Sequence, residues 1–243
     1  RELHSLALAS PASVVEGGSI TYTVSVNNPV TASPLVITLR NGQAITIPVG
    51  QSSATGPAFA VRADDAYVQG TQTLNVGISS TSGGSYEALT TTSTASTTVT
   101  DDADATTVTI STTTATVTEG GSIIYTATVS SAVTGSPLVV TLSNGQTITI
   151  PVGQSSANSA AFAVRADDAY VQGTQTLNVT ATATSGGNFE AVTRTGTATT
   201  TVTDDTDATT VTITASTASV TEGGSITYTA SVNNAVTGAP LVV

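Results

Sequence analysis

Sixteen acidic residues carry most of the chemistry available to this chain. They come in clusters: Asp64-Asp65, Asp101-Asp102 with Asp104, Asp167-Asp168, and Asp204-Asp205 with Asp207. Single glutamates stand at Glu2, Glu16, Glu87, Glu119, Glu190 and Glu222. Two unit charges about 5 Å apart repel by roughly 3 kcal/mol at an effective dielectric of about 20. Carboxylates gathered in one place therefore call for a counter-ion, and a hard divalent cation supplies one. Calcium takes about six to eight oxygens from carboxylates, carbonyls and water in flexible geometry. Zinc would ask for His or Cys, which the clusters lack. Magnesium keeps several waters and is held through few carboxylates. Calcium is the expected ion. The competing reading of any one Asp pair is a solvated loop in which Asp serves a turn.

The remaining composition excludes several functions. The net charge is −11, and the five basic residues are all Arg. No basic patch is available for nucleic-acid phosphate or for anionic lipid. No apolar run approaches the ~18 residues of a membrane span. Without Cys there are no disulfides and no thiolate metal sites, and a disulfide-free secreted domain gains from a metal staple. The single His, His4, lies outside the repeats described next and is given no role. No Ser sits in a nucleophile elbow, and the carboxylates come by the handful rather than as the isolated pair of a glycosidase. The chain reads as a non-enzyme.

The acids recur because the chain repeats. EGGSI occurs at Glu16, Glu119 and Glu222, 103 residues apart both times. VRADDAYVQGTQTLNV occurs unchanged at Val61 and Val164, and TVTDDADATTVTI at Thr98 returns as TVTDDTDATTVTI at Thr201. A unit of this length can bury its own core. The expected domains are 1–102, 103–205 and a partial third repeat, 206–243, holding only its first three strands. That repeat stops within APLVV, so the chain reads as a piece of a longer array. The first nine residues, RELHSLALA, diverge from the repeat and read as a border.

Within one repeat, β-branched residues at period two predict seven strands. The first covers roughly 6–15 and ends at the EGG turn. SITYTVSV, LVITL and AITIPV follow, with Asn41-Gly42 expected to form a type I′ hairpin between the last two. A fifth strand includes AFAV, the sixth is TQTLNVGI, and the seventh ends at TVT. Short strands with frequent turns predict an all-β chain of tandem immunoglobulin-like seven-stranded β-sandwiches, end to end.

Strand parity then places the acids. If each strand runs the length of the sandwich, the connection holding Glu16, the loop holding Asp64 and Asp65, and the end of the last strand at Asp101 and Asp102 meet at one pole. Asp104 lies in the linker beyond. The second repeat places Glu119, Asp167, Asp168, Asp204 and Asp205 alike, with Asp207 in its linker. Glu87 and Glu190 either reach the preceding linker or are simple loop acids. Arg62 and Arg165 are expected to tie their loops by ion pairing. Tyr67 and Tyr170 read as corner tyrosines bonded to backbone.

At these residues the chain resembles a known group. The EGGSI turn, the DDAYVQGTQTLNV segment and the terminal TVTDDAD resemble Calx-β-type domains. The Thr/Ser-rich array free of Cys and Lys resembles the extender repeats of large type I-secreted repeats-in-toxin adhesins of Gram-negative bacteria. The resemblance implies calcium-binding sandwiches that hold a distal binding region away from the bacterial cell surface. It implies an extracellular, elongated, monomeric array whose partners are neighbouring repeats, with a part in adhesion or biofilm formation. By position its ligands would be Glu16, Asp64, Asp65, Asp101 and Asp102, and likewise Glu119, Asp167, Asp168, Asp204 and Asp205. Gln69 and Gln72, with Gln172 and Gln175, stand where Calx-β domains often have acids, which shifts weight to the linker. The alternative is a β-sandwich module that binds a glycan, a protein or ice through Thr-x-Thr arrays.

Overall fold

The computed structural model describes residues 3–243. Among these residues the chain is all-β, and no helix is long and apolar enough to cross a membrane. It divides into two compact units. The first runs to Thr106 and takes in Asn188–Ala191; the second comprises Thr107–Gly187 and Val192–Val243.

The first unit is a β-sandwich. Its strands are β1 (His4–Ala9), β2 (Ser13–Val15), β3 (Ser19–Ile20), β4 (Thr23–Val26), β5 (Leu35–Leu39), β6 (Ala44–Ile47), β7 (Ser53–Thr55), β8 (Phe59–Ala60), β9 (Gln72–Gly83), β10 (Leu89–Thr90) and β11 (Thr94–Thr100). These are seven runs of chain, four of them broken in two. One sheet has the order β10-β1-β4-β7 and the other β2-β11-β9-β5-β6, while β3 pairs with β8. Alternate residues of β1, β4, β5, β6 and β11 point inward, as period two requires. Leu6, Tyr22, Val24, Leu35, Ile37 and Ile47 are among those that form one core.

The structure corrects three local expectations. The first strand is not continuous. It breaks at Ser10–Ala12, so that β1 pairs antiparallel with β4 and β2 pairs parallel with β11 in the other sheet. Pro11 cannot donate to a ladder. Instead its carbonyl accepts from the buried Thr97 hydroxyl at 2.7 Å, and Ser10 Oγ lies 2.7 Å from the same hydroxyl. Next, the RELHSLALA segment is no border. His4, Leu6 and Leu8 are buried on β1, and the His4 ring packs 4.7 Å from that of Tyr86. Arg1 and Glu2 of that segment lie outside the described residues. Last, the Asn41-Gly42 hairpin is not type I′. Only Gly42 has positive φ, at 88°. The Gly42 N–H donates to Leu39 O at 3.0 Å and the Leu39 N–H to Gln43 O at 2.8 Å, the pattern of a type I turn closed by a bulged glycine.

The second unit repeats the plan. Ala105–Thr112 pairs antiparallel with Tyr125–Val129, and Thr116–Thr118 pairs parallel with Ala198–Thr203. Its core uses the equivalent residues, with Val108, Ile110, Tyr125, Leu138 and Val140 buried. The segment 206–243 contributes Val211–Ala215 and Tyr228–Val232, which pair with each other. The third strand expected there does not form over 239–243. In the complete repeats that strand is held by two partners, such as β6 and β9 for β5, and 206–243 includes neither equivalent.

Candidate metal centre

In the first unit, the parallel pairing of β2 with β11 brings their C-terminal ends to one pole. The Glu16 N–H donates to Thr100 O at 3.0 Å, which puts Glu16 beside Asp101 and Asp102. The next residue must be glycine. Gly17 has φ +70°, and a Cβ there would sit 2.8 Å from Asp64 Cβ. Its N–H donates to Arg62 O at 2.8 Å. The EGG turn and the acidic loop thus close on each other through backbone.

Arg62 organises the inner layer of the pole. Its Nε pairs with Glu16 Oε2 at 2.7 Å, one terminal nitrogen pairs with Asp101 Oδ1 at 2.8 Å, and the other donates to Gly70 O at 2.7 Å. Asp101 Oδ2 accepts from the Gln69 N–H at 3.0 Å. Asp65 accepts from the Tyr67 N–H at 2.8 Å and from the Gln69 side-chain amide. Gln69 donates its backbone N–H to Asp101 and its side-chain amide to Asp65, and an ionised acid at this position could make only the first of these bonds.

What remains is an outer layer that includes carboxylate oxygens without such donors. Glu16 Oε1 is buried and has no hydrogen-bond partner, and neither has Glu190 Oε1. One oxygen from each of Glu16, Asp102 and Glu190 lies within 4.8 Å of the others, and so does one from each of Asp64, Asp102 and Asp104. Of the residues expected at this pole, the structure brings five into these groups: Glu16, Asp64, Asp102, Asp104 and Glu190. It turns Asp65 and Asp101 to protein donors instead. Glu190 comes from the second repeat of the sequence but packs within the first unit. Its Oε2 accepts from the Asp104 N–H. Glu87 is in neither group.

Crowding leaves an electrostatic mark. The Asp104 charge, with some burial and Asp102 and Asp65 behind it, holds Asp64 above its ordinary carboxylate pKa. For Glu190 the Asp104 N–H pulls the pKa down, but burial and the charges of Asp101, Glu16 and Asp102 outweigh it and the net shift is upward.

The second unit builds the same pole. The Glu119 N–H donates to Thr203 O at 2.9 Å and the Gly120 N–H to Arg165 O at 2.8 Å. Arg165 Nε pairs with Glu119 Oε2 at 3.0 Å, and its terminal nitrogen stands 3.5 Å from Asp204 Oδ1. That second contact is an ion pair without a hydrogen bond, since both atoms lack a partner by geometry. Asp168 accepts from the Tyr170 N–H and the Gln172 side chain, and Asp204 from the Gln172 N–H at 3.0 Å. One oxygen from each of Glu119, Asp167 and Asp205 lies within 4.8 Å of the others, a group that could hold a cation. Burial, reinforced by Asp204, raises the Glu119 pKa despite Arg165. Asp207 lies outside the group, yet the Asp167 charge raises its pKa, followed by burial and Asp205.

The residues fit calcium. Every donor is a hard oxygen. Two ligands at about 2.4 Å on opposite sides of an ion stand about 4.8 Å apart, so each group can share one cation. A buried carboxylate oxygen with no partner is costly, and a bound cation would relieve that cost at Glu16 and Glu119.

Sequence reasoning missed two participants. Gln69 serves as a donor, and Phe189, next to Glu190, stacks on Tyr67 with ring centroids 5.6 Å apart. An aromatic residue before the glutamate in both repeats, Tyr86-Glu87 and Phe189-Glu190, was the available signal. Tyr170 does bond to backbone, its hydroxyl donating to Ala235 O at 3.0 Å, although that carbonyl lies far along the chain rather than at the corner.

The LapA domain family matches the chain over residues 3–102 and again over 104–206. The chain belongs to the LapA domain family. LapA is a large biofilm adhesin, so this is an adhesin-related chain whose setting is the cell surface. No curated protein matches it.

Proposed function

We propose that these LapA domains are a calcium-stiffened extender, secreted by the type I route as part of a repeats-in-toxin adhesin and projecting a distal binding region. The ligands are Glu16, Asp64, Asp102, Asp104 and Glu190 at the first pole and Glu119, Asp167 and Asp205 at the second. Asp65, Asp101, Asp168 and Asp204 shape each pole from the inner layer, and Asp207 adds charge beside it. The observation that carries this reading is the buried, partnerless Oε1 of Glu16, a residue whose carboxylate comes within 4.8 Å of those of Asp102 and Glu190, the latter from the next repeat of the sequence. A cation there ties two repeats of the sequence together. Without it, the carboxylates repel and the tie loosens. Calcium at about a hundred times its dissociation constant would stabilise the fold by about 3 kcal/mol.

Small-angle scattering and thermal melting of the 243-residue chain, in calcium and in chelator, test the proposal. The expected result is a longer, stiffer particle and a higher melting temperature in calcium. The same profile and the same melting temperature in both would overturn it.

A further inference from the structure

The loop that carries Glu190 is seated by contacts that need no metal. Phe189 stacks on Tyr67 at an interplanar angle of 27°, and the same two residues form an antiparallel β-bridge. The Val68 N–H donates to Asn188 O at 3.0 Å, and the Asn188 side-chain amide donates back to Val68 O at 3.0 Å. The Glu190 N–H donates to Ala66 O at 3.2 Å. All of these residues lie in the first unit. The seat is also tied to the acidic loop itself, because Asp65 accepts from the Tyr67 N–H.

We propose that Asn188–Glu190 is a metal-independent latch, with Phe189 as its positioning residue, which holds the Glu190 carboxylate beside Glu16 and Asp102 before any cation arrives. The proposal rests on the calcium reading above. A free loop would lose conformational entropy when a cation ordered it. A loop already seated has lost that entropy, so more of the ion's interaction appears as affinity. In a chain of residues 1–243 the latch serves the first pole alone, so within these 243 residues the first pole is the tighter site and keeps its loop ordered when calcium is low. Phe189 touches no ion and acts through the placement of Glu190.

The test uses the whole 243-residue chain, with calcium titration and with amide exchange in chelator. In chelator, the Val68 and Glu190 amides should be protected. Phe189→Ala should remove that protection and weaken calcium at the first pole by about three- to tenfold, the worth of an aromatic pair. Affinity at the Glu119, Asp167 and Asp205 group should stay unchanged. Phe189→Tyr should restore both the protection and the affinity. Three results would overturn the latch: amides protected only after calcium is added, wild-type affinity in Phe189→Ala, or equal weakening at both poles. A chain that binds no calcium would overturn the reading beneath it, while exchange in chelator would still decide whether the latch forms.

Discussion

At the first pole Arg62 reaches Glu16 at 2.7 Å and Asp101 at 2.8 Å; at the second, Arg165 reaches Glu119 at 3.0 Å and stands 3.5 Å from Asp204. The loop between, VRADDAYVQGTQTLNV, is the same in both. The strand end differs only in Ala103 against Thr206. What differs most is the company: Glu190 enters the first pole, and Asp104 joins a ligating group where its counterpart Asp207 does not. The comparison separates a pole into two parts. The inner layer of Arg, Gln and one aspartate from each pair, Asp65 and Asp101 or Asp168 and Asp204, is written into each repeat. The outer layer, where a cation would sit, is completed by residues from outside the loop.

The comparison can be broken or sharpened by substitution. The largest effect is expected from Glu16→Ala, which leaves Arg62 without its main partner in a site less than one-fifth exposed on the Arg side. Removing one partner of such a pair should cost about 3 kcal/mol, read by denaturant unfolding in chelator. A near-neutral Glu16→Ala would show that the inner layer does not hold the pole. Gly17→Ala comes next, because it meets both the positive φ and the contact with Asp64. A loss of about 2 kcal/mol is expected, with Gly120→Ala similar, since that part of the pole is the same in both units. Arg62→Lys should cost about 1 kcal/mol by losing the forked contact to two carboxylates. Arg165→Lys should cost less, because its second contact is already long, and equal losses would erase the distinction between the poles.

The smallest effect concerns pH. Asp64, Glu190, Glu119 and Asp207 all have raised pKa values. In chelator the folded state therefore binds more protons than the unfolded state between the ordinary carboxylate range and the raised values. Stability should fall as pH rises through that window, so the chelated chain should melt higher near about pH 5 than at pH 7. Calcium should reverse the order at pH 7, since it replaces protons on the same oxygens. A melting temperature in chelator that rises with pH across the window would contradict the crowding at the poles.

Much of this architecture was legible in the residues. Period-two alternation and the 103-residue echo mark the strands, and strand parity alone brings Glu16, the Asp64 loop and the Asp101 end to one pole. Three features were not legible, each for a physical reason. The sheet switch at Pro11 depends on the Thr97 hydroxyl, a contact from the far end of the repeat. In the pairs Asp64-Asp65 and Asp101-Asp102, neighbouring residues point to opposite roles, and only the positions of Gln69 and Arg62 decide which takes protein donors. A type I′ turn needs positive φ at both Asn41 and Gly42, the bulged type I turn only at Gly42; Asn and Gly each accept it, so the dipeptide does not distinguish them.

The most direct measurement is a calcium isotherm of the whole chain beside that of Glu190→Gln. Two classes of site are predicted, with the tighter class lost in Glu190→Gln and the weaker one, at Glu119, Asp167 and Asp205, unchanged. Absence of calcium binding, or an isotherm that Glu190→Gln leaves unaltered, would contradict the account.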